Sequence, residues 1–293
     1  MLFRIPFASR FLSVILGCLL LPVVAGAQSE PPMPVERIVE VFGQHIHFYE
    51  AGQGPAVIFV HGLGRQANDW VWNIDALAQK FHVYALDQIG FGHSDKPLID
   101  YRIETFVEFL QGFMEAEDIH KATLVGNSLG GWIAADFAAQ HPAMIEKLVL
   151  VDAGGLRREG PPSTPPTELN PSSLVSMRKI LELVFYNKQF VTDGLVRKAF
   201  EEHLANGDGY TSERVLAGRS RGDQFEDEKL ASIHAPTLVV WGREDSLVPL
   251  SVGERYAKGI AGAKLVVLDL CGHVPQIEKA AEFNKALLEF LGR

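Results

Sequence analysis

One serine lies among small residues directly after an apolar run, in the stretch LVGNSLGGW at 124–132. The core GNSLG matches the pattern G-x-S-x-G, and the helical pattern WIAADFAAQHP follows it. Glycines on both sides of the serine allow a tight turn that lifts the hydroxyl above the end of a strand. A serine that only caps a helix does not need three glycines around it. The pattern therefore predicts that Ser128 is a nucleophile for acyl transfer.

A serine hydroxyl needs a base to remove its proton, and the base needs a carboxylate that fixes its tautomer. The sequence offers Asp245 after the apolar run TLVVWG and His273 after the run KLVVLD. Both would lie in loops at the carboxyl ends of parallel strands, where open α/β sheets bind ligands. The chain order Ser128, Asp245, His273 thus predicts a catalytic triad.

Two other carboxylates compete with Asp245 for the role of the acid. Glu244 is its direct neighbour, and Asp152 ends another apolar run, from which it could orient His273. Because Asp152 directly precedes a segment without strands, we interpret it as a helix or turn cap. We predict Asp245 as the acid.

Further histidines, an aspartate and a cysteine have simpler interpretations. Asp87 and His93 would fix the loop DQIGFGHSDKP by local hydrogen bonds. His45 and His47 stand two residues apart on a predicted edge strand, and without a third ligand we expect exposed residues rather than a metal pair. Cys271 follows an apolar strand and would be small packing material. No spacing typical of a zinc site or of a phosphate-binding glycine loop occurs, so we expect no metal and no cofactor.

Short apolar runs rich in β-branched residues alternate with helical patterns along the chain, which indicates a parallel sheet buried on both faces. An alternating segment at 37–50, with Gly43 at its turn, predicts an antiparallel hairpin at one edge of this sheet. The predicted parallel strands are 57–62, 82–87, 122–127, 147–153, 237–242 and 264–269.

The segment between residues 154 and 232 contains no comparable strand. It opens with the proline-rich stretch GPPSTPPTELNP and continues with helical patterns such as LVSMRKILELVF and DGLVRKAFEEHL. We therefore predict a core of residues 35–154 and 233–293, with residues 155–232 inserted as a helical cap over the sheet.

From about Val35 to its end, the chain resembles the α/β-hydrolase fold family. The resemblance implies a mostly parallel central sheet flanked by helices with a helical cap, and it assigns the triad as above. It also implies an oxyanion hole formed by the backbone N–H groups of Leu63 and Leu129, with His61 and Gly62 supporting the loop. The motifs that carry the resemblance are HGLG (61–64), DQIGFGHSDKP (87–97), GNSLGG (126–131), WGREDSLVP (241–249) and CGHVPQIEKAAEFN (271–284).

The type of nucleophile limits which branches of that family the chain resembles. A serine excludes the dehalogenase and epoxide-hydrolase branches, which by resemblance use aspartate. Within the serine branch the chain resembles both carboxylesterases and carbon–carbon bond hydrolases of aromatic meta-cleavage pathways. The latter group acts on intracellular compounds and often has tryptophan after the histidine, where this chain has Val274 and Ile277. Arg197 in the predicted cap could contact a carboxylate, although we interpret it as a surface residue.

We therefore predict a serine hydrolase that cleaves esters of small or medium-sized compounds through an acyl-enzyme. A carbon–carbon bond hydrolase is the first alternative, and a lipase or lactonase is the next. A ligand-binding receptor of the same fold is the alternative that is not an enzyme. The formal net charge of −9 argues against binding to nucleic acid or to anionic membranes.

The first 27 residues have the features of a secretory signal peptide. Arg4 and Arg10 precede the apolar run at 11–24, which ends in the small residues up to Ala27. We predict cleavage near Ala27, export to the periplasm or the medium, and no membrane span in the mature protein. The alternatives are an uncleaved anchor, disfavoured because the apolar run is short for a spanning helix, and lipid attachment at Cys18.

Overall fold

The computed structural model describes residues 34–157, 169–221 and 225–292, except for the side chains of residues 220 and 221. The predicted signal peptide, Cys18 and most of the proline-rich stretch lie outside these residues, so the proposed cleavage stays a prediction. In the part of the chain that is described, no helix is both long and apolar enough to cross a membrane.

Eight strands form one sheet in the order β1-β2-β4-β3-β5-β6-β7-β8. All neighbours from β4 to β8 pair in parallel, while β2 pairs antiparallel with both β1 and β4. Every predicted strand is thereby confirmed. The strands are β1 (Val35–Val41), β2 (Gln44–Ala51), β3 (Ala56–Val60), β4 (His82–Leu86), β5 (Ala122–Asn127), β6 (Ile145–Val151), β7 (Thr237–Gly242) and β8 (Lys264–Leu268).

The hairpin of β1 and β2 turns through two residues, Phe42 and Gly43, with φ of 52° and 72°. Such a two-residue turn with positive φ matches the right-handed twist of the flanking strands. Glycine adopts this conformation without strain, whereas Phe42 does so at a cost. The predicted antiparallel edge hairpin is confirmed, together with its turn at Gly43.

Helices cover both faces of the sheet because its strands are apolar on both faces. Alternate residues of β3 show this: Val57 and Phe59 pack in one apolar cluster, and Ile58 and Val60 pack in another. The described α-helices are α1 (Val71–Leu77), α2 (Ile103–Ala116), α3 (Leu129–Gln140), α4 (Leu174–Val184), α5 (Asp193–Asn206), α6 (Gly209–Arg221), α7 (Leu250–Gly259), α8 (Pro275–Glu278) and α9 (Ala280–Leu291).

Helices α4, α5 and α6 lie between β6 and β7 in the chain and form the predicted helical cap. Apolar side chains of this segment, among them Met177, Leu181 and Val196, make a small core separate from the two clusters of the sheet. Val274, the residue after His273, packs into the same small core. The cap is thus built partly on the loop of the predicted catalytic histidine. The limits 155–232 stay a prediction.

The expectation that His45 and His47 are both exposed is wrong for His47, of which 2% is exposed. Its Nδ1 lies 2.8 Å from Asp87 Oδ2, and its Nε2 lies 2.9 Å from Glu36 Oε1. Burial lowers the pKa of His47, but the hydrogen bonds and charges of these two carboxylates outweigh burial and raise it. Side-chain atoms of Glu36, His47 and His93 lie within 4.8 Å of one another. The hydrogen bonds of the His47 ring to two carboxylates account for the arrangement, and the expected absence of a metal stays a prediction.

Candidate active site

The turn between β5 and α3 holds Ser128 in a conformation that side chains rarely adopt, with φ of 55° and ψ of −115°. Two glycines make this turn possible. A Cβ atom on Gly126 would overlap the carbonyl of Gly130, and one on Gly130 would overlap the carbonyl oxygen of Val60. The close approach of α3 to β3 therefore requires glycine, and it places the serine at the end of the strand.

His273 lies beside Asp245, with 2.7 Å between Nδ1 and Oδ2. The other carboxylate oxygen of Asp245 accepts hydrogen bonds from the backbone N–H groups of Leu247, at 2.7 Å, and Val248, at 3.0 Å. In the tautomer that donates from Nδ1 to Asp245, Nε2 keeps its lone pair and can accept a proton. Ser128 and His273 line the same cavity, so the structure brings the predicted serine, acid and base together.

Glu244, the competing acid, has a different partner. Its Oε2 accepts the backbone N–H of Cys271 at 3.0 Å. On the other side of the histidine, Glu278 Oε2 accepts the N–H of Gly272 at 2.7 Å. The backbone N–H of His273 itself donates to the carbonyl of Val184, the last residue of α4, at 2.8 Å. The loop of the predicted catalytic histidine is thus fixed by two carboxylates and by the cap.

Asn127, the residue before the nucleophile, was not singled out by sequence reasoning. It is buried, and its Nδ2 donates to the carbonyl oxygens of Val151 and His273, each at 3.1 Å. One amide side chain thereby joins the serine turn to the strand next to it and to the histidine loop. Asn127 occupies the first variable position of G-x-S-x-G, and a polar residue at that position was the only signal in the sequence. The sequence does not show which groups its side chain would contact.

The predicted oxyanion loop passes beside the nucleophile. A Cβ atom on Gly62 would lie 3.2 Å from Cβ of Ser128, and Leu63 and Leu129 line the cavity. Burial lowers the pKa of His61, which favours the neutral ring. In the tautomer with a proton on Nδ1, that nitrogen donates to the carbonyl of Gly62 at 2.8 Å, and Nε2 accepts the N–H of Gln88 at 3.1 Å. His61 therefore shapes the loop and is not a second base.

The cavity above the serine has a volume of about 510 Å³. Aliphatic residues of α4 form one wall, including Met177, Ile180 and Leu181. Polar residues lie on other parts of the wall, including Arg65 and Glu202. This volume and mixed lining are typical of a site for a small apolar compound with a few polar groups.

Most of the other residues considered in the sequence analysis contribute to the structure and not to the cavity. Arg197 is exposed on α5, where Nη1 lies 4.0 Å from Oε1 of Glu201, as the surface interpretation predicted. Cys271 is buried, and burial raises the pKa of its thiol, which fits a packing residue. Asp87 accepts the backbone N–H of His93 at 2.8 Å, so the predicted local hydrogen bond within this loop is confirmed.

Asp152 is not the helix or turn cap that we expected. It is fully buried, and its Oδ1 accepts the N–H of Gly242 in the neighbouring strand β7 at 3.0 Å. Side-chain atoms of Asp152, Asp245 and His273 lie within 4.8 Å of one another. The strand order explains the error, because β6 and β7 are adjacent in the sheet although about 85 residues separate them in the chain.

Fold and site together define a hydrolase of the α/β class with a serine nucleophile turn. The α/β hydrolase fold family matches residues 55–280, and the chain belongs to this family. The chain is 33% identical over 275 residues to a 2-hydroxy-6-oxononadienedioate/2-hydroxy-6-oxononatrienedioate hydrolase of Paraburkholderia xenovorans, covering 87% of this chain and 93% of the relative. It is 34% identical over 262 residues to a 2-hydroxy-6-oxo-6-phenylhexa-2,4-dienoate hydrolase of Comamonas testosteroni, covering 84% and 91%.

Solved structures give the same fold. A meta-cleavage product hydrolase from Pseudomonas fluorescens superposes with a TM-score of 0.81 at 30% identity, covering 87% of this chain and 97% of that protein. A membrane phospholipase A, described as a bacterial virulence factor, superposes with a TM-score of 0.82 at 28% identity, covering 88% and 86%. These relatives support a hydrolase. The two sequence relatives are named as hydrolases of 2-hydroxy-6-oxo dienoates, which favours a carbon–carbon bond hydrolase over the carboxylesterase that the sequence favoured.

Proposed function

We propose that this protein is a serine hydrolase that cleaves the carbon–carbon bond next to a keto group in 2-hydroxy-6-oxo-2,4-dienoates. The observation that carries the proposal is the likeness to hydrolases of such compounds, at 33–34% identity over more than four fifths of the chain. The cavity above Ser128 supports it, because about 510 Å³ accommodates a compact dienoate with an aliphatic or aromatic end.

In the proposed reaction His273 accepts the proton of Ser128, and Oγ attacks the keto carbon. The N–H groups of Leu63 and Leu129 stabilise the oxyanion that forms. Cleavage requires the keto tautomer of the substrate, in which the 2-hydroxyl has lost its proton and C5 has gained one, so that C5 is saturated and C2 is a carbonyl. The bond between the keto carbon C6 and C5 then breaks. Its electron pair leaves with the 2-hydroxydienoate fragment as a delocalised enolate, which takes a proton from His273. Water hydrolyses the acyl-enzyme, so one dienoate and one water give a carboxylic acid and a hydroxydienoate.

Charge in the cavity supports an anionic substrate. Arg65 and Arg219 line the cavity, and a guanidinium group can bind a planar carboxylate. Arg65 already donates through Nε and Nη2 to Asp69, at 2.6 and 2.5 Å, so Arg219 is the candidate of the two that we propose for the substrate carboxylate. The exposed Arg197 does not line the cavity, so it has no part in this proposal.

Ester hydrolysis is the second candidate, and two observations favour it. Val274 and Ile277, where the resembling group often has tryptophan, extend the aliphatic lining of the cavity toward the histidine loop. The membrane phospholipase A also superposes over 88% of this chain, compared with 87% for the meta-cleavage product hydrolase. The same triad and oxyanion loop serve an ester carbonyl equally well.

A substrate panel separates the two candidates. We expect 2-hydroxy-6-oxo-6-phenylhexa-2,4-dienoate to be cleaved with a kcat/KM at least about ten times that for p-nitrophenyl butyrate, a difference of about 1.4 kcal/mol in transition-state stabilisation. Loss of the dienoate absorbance and release of p-nitrophenol are the measurements. An intact dienoate beside rapid ester turnover would contradict the proposal and favour the esterase, and a maximum at acyl chains of C12 or longer would indicate a lipase.

We also propose export, on the basis of the charged and apolar pattern of residues 1–27. Expression in a bacterium with an export pathway should yield a mature chain that begins near residue 28. Intact-mass spectrometry and N-terminal sequencing measure this directly. A chain that begins at Met1 would contradict cleavage, and a lipid mass on Cys18 would replace it with lipoprotein processing.

A further inference from the structure

Asp152 is a buried carboxyl group next to the triad that the proposed mechanism leaves without a role. It directly follows β6 with φ of 43°, a strained backbone conformation that aspartate tolerates better than most residues. Its Oδ1 accepts the N–H of Gly242, whereas Oδ2 accepts no hydrogen bond from a donor among the described residues. The Asp152 side chain can bond to the neighbouring Asp245 only if one of the two carboxyl groups is protonated. Backbone strain and an unpaired buried oxygen are both costly, and in native proteins such costs are concentrated at functional sites.

The carboxyl groups of Asp152 and Asp245 are too close for both to be ionised in a buried site. Hydrogen bonds decide which one carries the charge. Asp245 accepts two backbone N–H bonds and the bond from His273, while Asp152 accepts a single backbone N–H bond. Because such bonds favour the charged form, the negative charge lies on Asp245 and the proton on Asp152.

The surroundings of Asp152 also favour its protonated form. Burial, and then the charge of Asp245, raise the pKa of Asp152 well above its ordinary value, and Glu278 adds to this effect. The Cys271 thiol is also nearby, and burial raises its pKa, so it stays neutral and adds no charge beside Asp152. His273 is the one basic side chain of the described cluster, and its Nδ1 lies beside Asp245 and not Asp152.

We propose that Asp152 is a positioning residue. It is a neutral carboxylic acid that packs against Asp245, so that the Asp245 carboxylate carries the single negative charge facing His273. The inference rests on the proposed serine-hydrolase function. The protonation of Asp152 would have a second consequence. If Asp245 is neutralised by substitution, the like charge that keeps Asp152 protonated disappears, and Asp152 can ionise within reach of the imidazole.

The first test is Asp152→Asn, assayed by the rate at which a fluorophosphonate probe labels Ser128. A carboxamide is neutral and can still accept from Gly242 and donate toward Asp245. We expect a labelling rate within about three-fold of the unsubstituted protein and an unchanged midpoint of the acid limb of the pH–rate profile. If Asp152 were ionised, removing its charge would move that midpoint to lower pH by about one unit, which would overturn the proposal.

The second test is a double-mutant cycle. Asp245→Asn leaves Asp152 able to take the charge, whereas Asp245→Asn combined with Asp152→Asn leaves no carboxylate beside His273. We expect the double variant to label at least about ten-fold more slowly than Asp245→Asn, although Asp152→Asn alone has almost no effect. A purely structural Asp152 would give additive effects instead, and additivity would overturn the proposal.

Infrared spectroscopy provides a measurement that needs neither turnover nor a folded Asp152→Asn variant. The unsubstituted protein should show carbonyl absorbance of protonated carboxyl groups at pH 8, and Asp245→Asn should lose the part that belongs to Asp152 as that group ionises. Burial raises the pKa of Glu226 to about 8, so Glu226 contributes a band in both proteins and the difference between the two spectra is the measurement. A difference spectrum without this loss would overturn the proposal. Because no substrate is involved, this result stands apart from the success or failure of the substrate panel.

Discussion

Replacing Ser128 by alanine should lower kcat at least about 10⁴-fold on every substrate that the protein turns over. The variant loses the only atom that forms the covalent bond, while the oxyanion loop and the cavity remain. Alanine has the same Cβ as serine, so the cost of the positive φ at this position is unchanged. The loss should therefore appear in kcat without loss of the fold, measured by turnover of the dienoate and the butyrate ester and by circular dichroism.

The matched control is Ser251→Ala, which changes an exposed serine in α7. This substitution should leave kcat and KM within about two-fold of the original values, as expected for a surface change. Turnover by Ser128→Ala above about one per cent of the unsubstituted protein would mean that another group, or water activated by His273, performs the attack. Such a result would contradict the acyl-enzyme mechanism.

Substituting Gly130 by alanine should destabilise the protein by about 3 kcal/mol or more and abolish activity. The added Cβ would overlap the carbonyl oxygen of Val60 and lie 2.6 Å from that of His61. Both atoms belong to backbone, which cannot rotate away as a side chain can, so α3 must move off the sheet. The same movement would carry the N–H of Leu129 away from the oxyanion. Urea unfolding and labelling of Ser128 measure the two effects.

Gly194→Ala is the corresponding control in α5. A Cβ at this position finds its nearest neighbour, Thr192 Oγ1, at 3.8 Å. Alanine favours a helix over glycine by about 1 kcal/mol, so this variant should be as stable as the original protein or more stable. A Gly130→Ala protein with an unfolding free energy within about 1 kcal/mol of the original would contradict the tight packing of α3 against β3.

The sequence was informative wherever the determining interactions are local. The apolar runs predicted the six parallel strands because a parallel strand is buried on both faces whatever its neighbours are, and the alternating segment 37–50 predicted the antiparallel hairpin. The motif around Ser128 predicted the turn because its glycines act within five residues. Asp245 could be chosen over Glu244 by resemblance, and the 2.7 Å separation from His273 places it as expected.

The errors concern residues whose surroundings depend on strand order. Asp152 was misinterpreted because its neighbour Gly242 comes from a strand far along the chain. His47 was expected to be exposed because β2 was taken as part of an edge hairpin. The loop after β4 covers it instead, with Asp87 bonded to its ring. No pattern within a single segment contains this information, since it arises only when the sheet is assembled.

The bond from the His273 amide to the carbonyl of Val184 has a consequence for the evolution of substrate range. The cap would be freely exchangeable only if the predicted catalytic residues were held wholly by the sheet. Here Glu278 also accepts N–H bonds from Tyr186 and Asn187, just beyond α4. A transplanted cap without these backbone groups in the same places would provide a new cavity. It would also leave the His273 loop without its hydrogen bonds to the cap, so the predicted base would be displaced. In this chain, a change of cap that alters the substrate range would therefore also alter the position of His273 and with it the reactivity.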